Sequence, residues 1–206
     1  MKVERLTGGK LANNAYFLVN EITRNCILID TFEQTEPILN YLENNCLKLE
    51  AILLTHGHFD HISGVKKIKD KTNCKVYLHK DDVWKITAFD QMARMCNIQV
   101  EPFDVDYEIQ GDEENLEIIG YKIKAIHTPG HTKGGVCYMI DEMIFVGDTI
   151  FKDSYGRTDF EDSDFQTLKS SIFKIFNLEG DYLYLPGHGD VTTSKYEKLY
   201  NPISRD

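Results

Sequence analysis

A layered α/β sandwich is the fold class that this 206-residue sequence predicts, and three observations predict it. Short runs rich in β-branched and aromatic residues alternate with segments of helical apolar spacing, the pattern of sheets and helices packed in layers. The residues able to do chemistry come directly after the apolar runs, where α/β sheets place their sites. Hydrophobic residues make up 42% and charged residues 27%, enough for an ordinary core, and the length suits one domain over residues 1–206.

The elements follow in order. Ala15–Val19 and Cys26–Ile29 read as strands, with the polar residues 21–25 as the turn between them. Residues 37–46 carry Ile38, Leu39, Leu42 and Cys46 at helical spacing. Ala51–Leu54 is an apolar run of the buried-strand type, and residues 62–71 form an amphipathic helix with Lys66, Lys67, Lys69 and Lys71 on its solvated face. Lys75–Leu78 is the next strand, and a helix starts at Asp81. Residues 88–106, with Met92, Met95, Cys96 and Pro102, have no clear period and read as an inserted cap or loop near the site. Strands return at 116–119, 121–126, 136–140 and 143–146. Phe165, Leu168, Ile172, Ile175 and Phe176 space a helix across 163–176, Tyr182–Leu185 is the last strand, and the tail 189–206 is polar and short.

Bulk properties narrow the function. A net charge of -10 leaves no basic surplus to offset phosphates, so neither nucleic acid nor an anionic membrane surface is an expected partner. A small anionic substrate needs only local positive charge, which metal ions supply. The five cysteines are odd in number and form no C-x-x-C pair, as in a reduced protein. The first residues lack the apolar core of a signal peptide, and no run of residues is long and apolar enough for a membrane span. A cytoplasmic protein is expected; its oligomeric state is left open.

The densest chemistry lies in Thr55-His56-Gly57-His58-Phe59-Asp60-His61, which holds three of the seven histidines. Three further stretches follow apolar runs: His127-Thr128-Pro129-Gly130-His131-Thr132, Gly147-Asp148-Thr149 and Pro186-Gly187-His188-Gly189. Strand ends aligned on one sheet edge would bring all four together. Imidazole and carboxylate donors suit zinc, iron or manganese.

The order His56-x-His58-x-Asp60-His61, then His131, Asp148 and His188, resembles the metallo-β-lactamase fold superfamily along essentially the whole chain. The resemblance implies an αββα sandwich of two mixed sheets with helices on the outer faces. It also implies two divalent metal ions, zinc first, with iron or manganese as alternatives. His56, His58 and His131 would hold one ion, Asp60, His61 and His188 the other, and Asp148 would bridge them. His127-Thr-Pro-Gly-His-Thr, Gly147-Asp-Thr-Ile-Phe and Gly156-Arg-Thr-Asp-Phe are similar to the glyoxalase II (hydroxyacylglutathione hydrolase) branch, in its short bacterial form.

That likeness implies hydrolysis of a small anionic thioester by a metal-bridging hydroxide; Asp60, as the catalytic carboxylate, would both ligate a metal and accept a hydrogen bond from the hydroxide, orienting it. There is no cysteine near Asp148 as in subclass B1 β-lactamases, and His58 stands where flavodiiron proteins carry glutamate. The sequence ends before the helical domain with which longer glyoxalase II enzymes contact glutathione, so no separate C-terminal substrate domain is expected. A mononuclear iron persulfide dioxygenase, a lactonase or phosphodiesterase, and a non-catalytic metal-binding protein are the alternatives.

Other residues have a structural and a functional reading. His79 and His127 read as turn histidines or supports for the ligands rather than ligands. Arg157 either pairs with Asp159 as a buried ion pair that holds its loop or contacts an anionic substrate. Tyr155 either packs or donates to a substrate oxyanion. Thr55 and Thr149 are expected to hydrogen-bond the ligand loops. Trp84, Met92 and Met95 are expected in the core, with a substrate cleft as the alternative.

Overall fold

Period-two alternation along the first strands sorts their side chains into two layers, and the rest of the architecture follows. The computed structural model describes residues 1–88 and 90–204. Strand β1 (Lys2–Gly8) runs antiparallel to β2 (Asn13–Val19), and β2 antiparallel to β3 (Asn25–Ile29). Helix α1 (Glu36–Asn44), with proline in its first turn, crosses over to β4 (Lys48–Leu53), which is parallel to β3. The short helix α2 (Phe59–Ile62) and α3 (Val65–Thr72) lead to β5 (Lys75–His79), parallel to β4; Asn73 stops α3 in the left-handed conformation at φ 55°. A 3-10 helix over Lys80–Ile86 and helix α4 (Gln91–Met95) precede β6 (Tyr107–Ile109), which closes the first sheet in the order β1-β2-β3-β4-β5-β6.

The second sheet begins with the hairpin β7 (Glu113–Ile118) and β8 (Tyr121–His127), whose turn residues Ile119 and Gly120 both have positive φ. Strands β9 (Val136–Ile140) and β10 (Met143–Gly147) continue it, followed by a small hairpin, β11 (Ile150–Phe151) and β12 (Ser154–Tyr155). Helix α5 (Phe165–Phe176) crosses over to β13 (Leu183–Pro186), parallel to β10, and then come β14 (Thr192–Thr193) and α6 (Ser194–Tyr200). The order is β14-β13-β10-β9-β8-β7.

Three apolar layers hold the elements together. Ala15, Phe17, Leu28 and Ile52 face outward onto Ile38 and Leu42 of α1 and Val65 and Ile68 of α3. Their neighbours Tyr16, Leu18, Ile27, Ile29 and Leu53 face inward onto Ile123, Ala125, Tyr138 and Phe145 of the second sheet. The outer face of that sheet, Ile126, Cys137, Ile144 and Val146, packs on Leu168, Ile172, Ile175 and Phe176 of α5. Helix, sheet, sheet, helix is therefore the layering, as the resemblance implied.

Several elements differ from the sequence reading. Strand β1 was not expected; its Lys2, Glu4 and Arg5 suit an edge strand half in water rather than an apolar run. The helix expected from Asp81 is 3-10, and residues 88–106 contain α4 as well as irregular chain, with Phe89 outside the described residues. Strands β6, β11, β12 and β14 are two or three residues long, too short to carry a period. The polar tail folds into α6 around Glu197, which is fully buried and accepts from Thr192 Oγ1 (2.6 Å) and Asn201 Nδ2 (2.7 Å). A polar network rather than an apolar stripe builds that helix. Among the described residues no helix is long and apolar enough to cross a membrane.

Candidate metal centre

Four strands deliver the donors. His56, His58, Asp60 and His61 follow β4, the last two on α2; His131 follows β8, Asp148 follows β10, and His188 follows β13. Hydrogen bonds between the sheets lock this edge. Asn14 N donates to Gly187 O (2.7 Å), Val136 N to Thr55 O (2.7 Å), and Tyr16 Oη to Pro186 O (2.7 Å).

The ring nitrogens face one another across short distances. His58 Nδ1 lies 3.1 Å from His56 Nε2 and 2.9 Å from His131 Nε2. His61 Nε2 lies 3.3 Å from His188 Nε2. The far side of four rings is already committed as a donor: His131 Nδ1 to Arg157 O (2.8 Å), His61 Nδ1 to Asp30 Oδ2 (3.0 Å) and His188 Nδ1 to Leu11 O (3.0 Å). His56 Nδ1 donates to Thr55 Oγ1 (3.1 Å), whose own hydroxyl donates to Asp30 Oδ2 (2.7 Å). A neutral imidazole has one N–H, so wherever these four rings are neutral their converging Nε2 atoms carry lone pairs. Lone pairs at these separations need a cation between them. Two donors each 2.0–2.1 Å from a tetrahedral ion stand about 3.3 Å apart, close to what is seen.

The carboxylates complete the set. Asp148 Oδ1 is 3.5 Å from His61 Nε2, and Asp148 Oδ2 is 3.5 Å from His131 Nε2 and 3.6 Å from His188 Nε2. Asp60 Oδ2 is 3.3 Å from His188 Nε2 and 3.6 Å from His61 Nε2. Asp148 Oδ1 is buried without a hydrogen-bond partner, a state a protein tolerates poorly unless a cation sits beside it. The seven predicted ligands thus come together as His56, His58 and His131, as His56, His61 and Asp148, and as Asp60, His61 and His188. The donor set fits divalent metal ions.

Charge shifts agree with that fit. Burial and then the neighbouring imidazoles hold His56 and His58 well below the usual histidine range, so both are neutral donors. Burial pushes His61 down as well, but the charges of Asp60, Asp148 and Asp30 outweigh it and raise the ring to about 10. The site around His61 therefore demands positive charge. Burial would raise Asp60, yet His61 and the hydrogen bonds from His188 and Asn13 hold it below the usual carboxylate range.

Five of these donors, His58, Asp60, His131, Asp148 and His188, line a cavity of about 1450 Å³. The cap segment forms one wall through Met92, Ile98 and Pro102, beside Ile86 of the 3-10 helix, and Lys10 Nζ ties it down by donating to Cys96 O (2.9 Å) and Asn97 O (2.7 Å). Trp84, expected in the core, is 52% exposed and lines this cavity. Met92 lines it too while packing beside Phe59, Ala93 and Ile98, whereas Met95 is exposed. Arg157 also lines the cavity and does pair with Asp159 (2.7 Å), but both side chains are largely exposed, so the buried ion pair is corrected to a surface one that water screens. Tyr155 packs against Phe165 and lies apart from the cavity wall. His79 and His127 stack on each other, centroids 4.0 Å apart, away from the main cluster.

Three working residues were not singled out from the sequence. Asp30, directly after β3, accepts from Thr55 N (2.8 Å), Thr55 Oγ1 and His61 Nδ1. Its position after an apolar strand is the same signal that marked the ligands. Asp82 is fully buried and accepts from Gly57 N, Thr132 Oγ1 and Gly134 N, each at 2.7 Å, so it ties the His56 loop to the His131 loop. Burial raises its carboxyl against those bonds. Asn13 Nδ2 donates to Asp60 Oδ2 at 2.9 Å. Thr149 meets Thr128 of the His131 loop at 3.3 Å, and Thr55 bonds as expected.

The floor leaves no room for a side chain at Gly187, where a Cβ would stand 2.4 Å from Asp148 Oδ1 and 2.7 Å from His61 Cε1. Gly187→Ala is expected to keep the fold but weaken metal affinity by roughly 10- to 100-fold, the range for displacing groups that support ligands. A chelator competition titration reads this, and unchanged affinity would count against the cluster as the metal centre.

Comparison with known proteins places these residues in a lineage. A family model described as the metallo-beta-lactamase superfamily matches residues 8–188. A probable metallo-hydrolase of Bacillus subtilis, YqgX, is 34% identical over 208 residues, covering 98% of this chain and 97% of its own. Hydroxyacylglutathione hydrolase GloC of Haemophilus influenzae is 30% identical over 191 residues, 90% of each chain. Among solved structures, the BLEG-1 B3 metallo-beta-lactamase superposes with a TM-score of 0.91 at 31% identity, covering 98% of both chains. TTHA1623 in a di-iron-bound form does so at 0.85 and 32%, covering 97% of this chain and 98% of that one. The layering, the strand-end donors and these full-length matches have one source: the chain belongs to the metallo-beta-lactamase superfamily.

Proposed function

We propose that this protein is a hydrolase that cleaves small anionic thioesters with two divalent metal ions, zinc first, in the manner of glyoxalase II. The observation that carries the reading is the convergence of five imidazole rings with the partnerless oxygen of Asp148 beside a large cavity. The likeness to GloC, a hydroxyacylglutathione hydrolase, supports the thioester. Asp60, His61 and His188 supply the donors for a second ion that the hydrolase reading needs.

Divalent ions held there would lower the pKa of water at the site and polarise a carbonyl oxygen. His56, His58 and His131 would hold one ion and Asp60, His61 and His188 the other, with Asp148 between them. The protein's own groups set the geometry. Asn13 fixes one oxygen of Asp60, and the carboxylate, held anionic, accepts a hydrogen bond from the attacking water and orients it. Asp30 aims His61 and Arg157 O aims His131, so neither ring has to be ordered at the moment of reaction. Phe160 packs edge-on to His58 and His131 and shields that side from bulk water. In the reaction, water oxygen adds to the acyl carbon, the C–S bond breaks, and the sulfur leaves as a thiol once it regains a proton.

Elemental analysis of anaerobically purified protein, followed by assay on thioesters, persulfides and a β-lactam, tests the proposal. Two ions per chain with thioester cleavage are expected. One iron per chain with oxygen uptake on a persulfide, or β-lactam turnover without thioester turnover, would replace it.

A further inference from the structure

The chain carries a net charge of -10, yet Lys85, Arg94, Lys133 and Arg157 all line the cavity. Arg94, Lys133 and Arg157 are exposed, and their pull on an anion is screened by water. Lys85 differs. Its ammonium lies 2.8 Å from Asp162 Oδ2, with the side chains only 10% and 13% exposed. The pair joins two walls of the cavity, the 3-10 helix of residues 80–86 and the loop that follows β12. The Lys85 stem passes beside Gly57, its Cδ 3.0 Å from where a Cβ would stand, so it lies against the backbone between His56 and His58. The ammonium also sits 4.7 Å from the centroid of Trp84.

A charge pair withdrawn from water gains from an exchange of partners where a surface pair would not. Removing Asp162 alone would strand the ammonium in a low-dielectric wall, but a second carboxylate arriving in its place restores the attraction. Trp84, Ile86, Ile98 and Phe160 line the same cavity and offer apolar surface to a hydrocarbon portion of that ligand.

We propose that Lys85 is a specificity-determining residue: it binds a carboxylate carried by the substrate, Asp162 holds the ammonium in place until that carboxylate arrives, and the substrates are thioesters that bear both a carboxylate and an apolar group. This rests on the thioester hydrolase reading for the chemistry, but not for the binding.

The test uses two matched thioesters, one ending in a carboxylate and one in the corresponding carboxamide, with the metal-loaded wild-type protein and the Lys85→Met, Lys85→Arg and Asp162→Asn variants. The quantity read is the carboxylate-over-carboxamide ratio of kcat/KM. Lys85→Met is expected to collapse this ratio at least tenfold, through KM, and Lys85→Arg to retain it. Asp162→Asn is expected to raise the ratio several-fold, because the competing anion is gone. A merely structural ion pair would make Lys85→Met and Asp162→Asn lower both substrates alike and leave the ratio unmoved, which would overturn the proposal. Calorimetric titration with the two thioether analogues, which cannot be hydrolysed, reads the same preference as binding. If neither thioester is turned over but the carboxylate thioether binds through Lys85, the hydrolase reading fails and the Lys85 assignment stands. If both thioethers bind equally to wild type and to Lys85→Met, the assignment fails whatever the chemistry.

Discussion

Replacing Asp148 by alanine is expected to cut thioester hydrolysis at least about a thousandfold, equivalent to roughly 4 kcal/mol of transition-state stabilisation, and to lower the metal content per chain. Asp148 is the carboxylate within 3.6 Å of ring nitrogens from both donor groups, His131 on one side and His61 and His188 on the other. Without it the ions that the two donor groups would hold would face each other with no carboxylate between them. His61 also loses one of the three carboxylates that raise it, so the demand for positive charge at that ring falls. The fold should survive, because Asp148 Oδ1 has no hydrogen-bond partner to orphan. Elemental analysis beside kinetics checks the prediction, with circular dichroism as the control. A variant with normal metal content and normal hydrolysis would sink the two-metal proposal.

The second large effect lies one shell further out. Asp30→Ala removes the acceptor for Thr55 N, Thr55 Oγ1 and His61 Nδ1 together, at a position 2% exposed. Three buried donors left unmet cost roughly 3–5 kcal/mol, a large part of the 5–15 kcal/mol by which a typical domain is stable. Asp30 also has φ 57°, a left-handed conformation that aspartate tolerates better than alanine. A lower urea midpoint is the expected result. Asp30→Asn keeps the size but turns an N–H toward donors, and should weaken metal affinity by about 10- to 100-fold through a misaimed His61. A wild-type midpoint for Asp30→Ala, measured in metal-free protein, would show that the buried network contributes nothing.

What was legible in the sequence was local. His56, His58, Asp60 and His61 fall within six residues, so a short window reveals them, and His131, Asp148 and His188 each follow an apolar strand. Asp30 and Asp82 were not legible, because their partners lie 25 or more residues away and a single buried aspartate has no spacing to read. Strands such as β2 announced themselves by unbroken burial, while β1 alternates exposed and half-buried residues and resembles a loop. Helix α6 hid because Glu197 anchors it with polar bonds, which hydropathy cannot register. Trp84 was misjudged for a related reason: aromatic bulk suggests a core, and only the position of the cap shows that this ring stands at an opening.

The donors are divided between the sheets, with His56 to His61 hung from β4 of the first and His131, Asp148 and His188 from strands of the second. No half of the chain can assemble the centre alone, and the contacts that complete it, such as His61 with His188, span 127 residues. The centre is then among the last features to form as the chain folds, since such distant closures are slow to meet. An ion captured there fastens one half to the other, so its affinity adds to the stability of the folded state by mass action. For this protein, loading with metal doubles as a check that folding has finished.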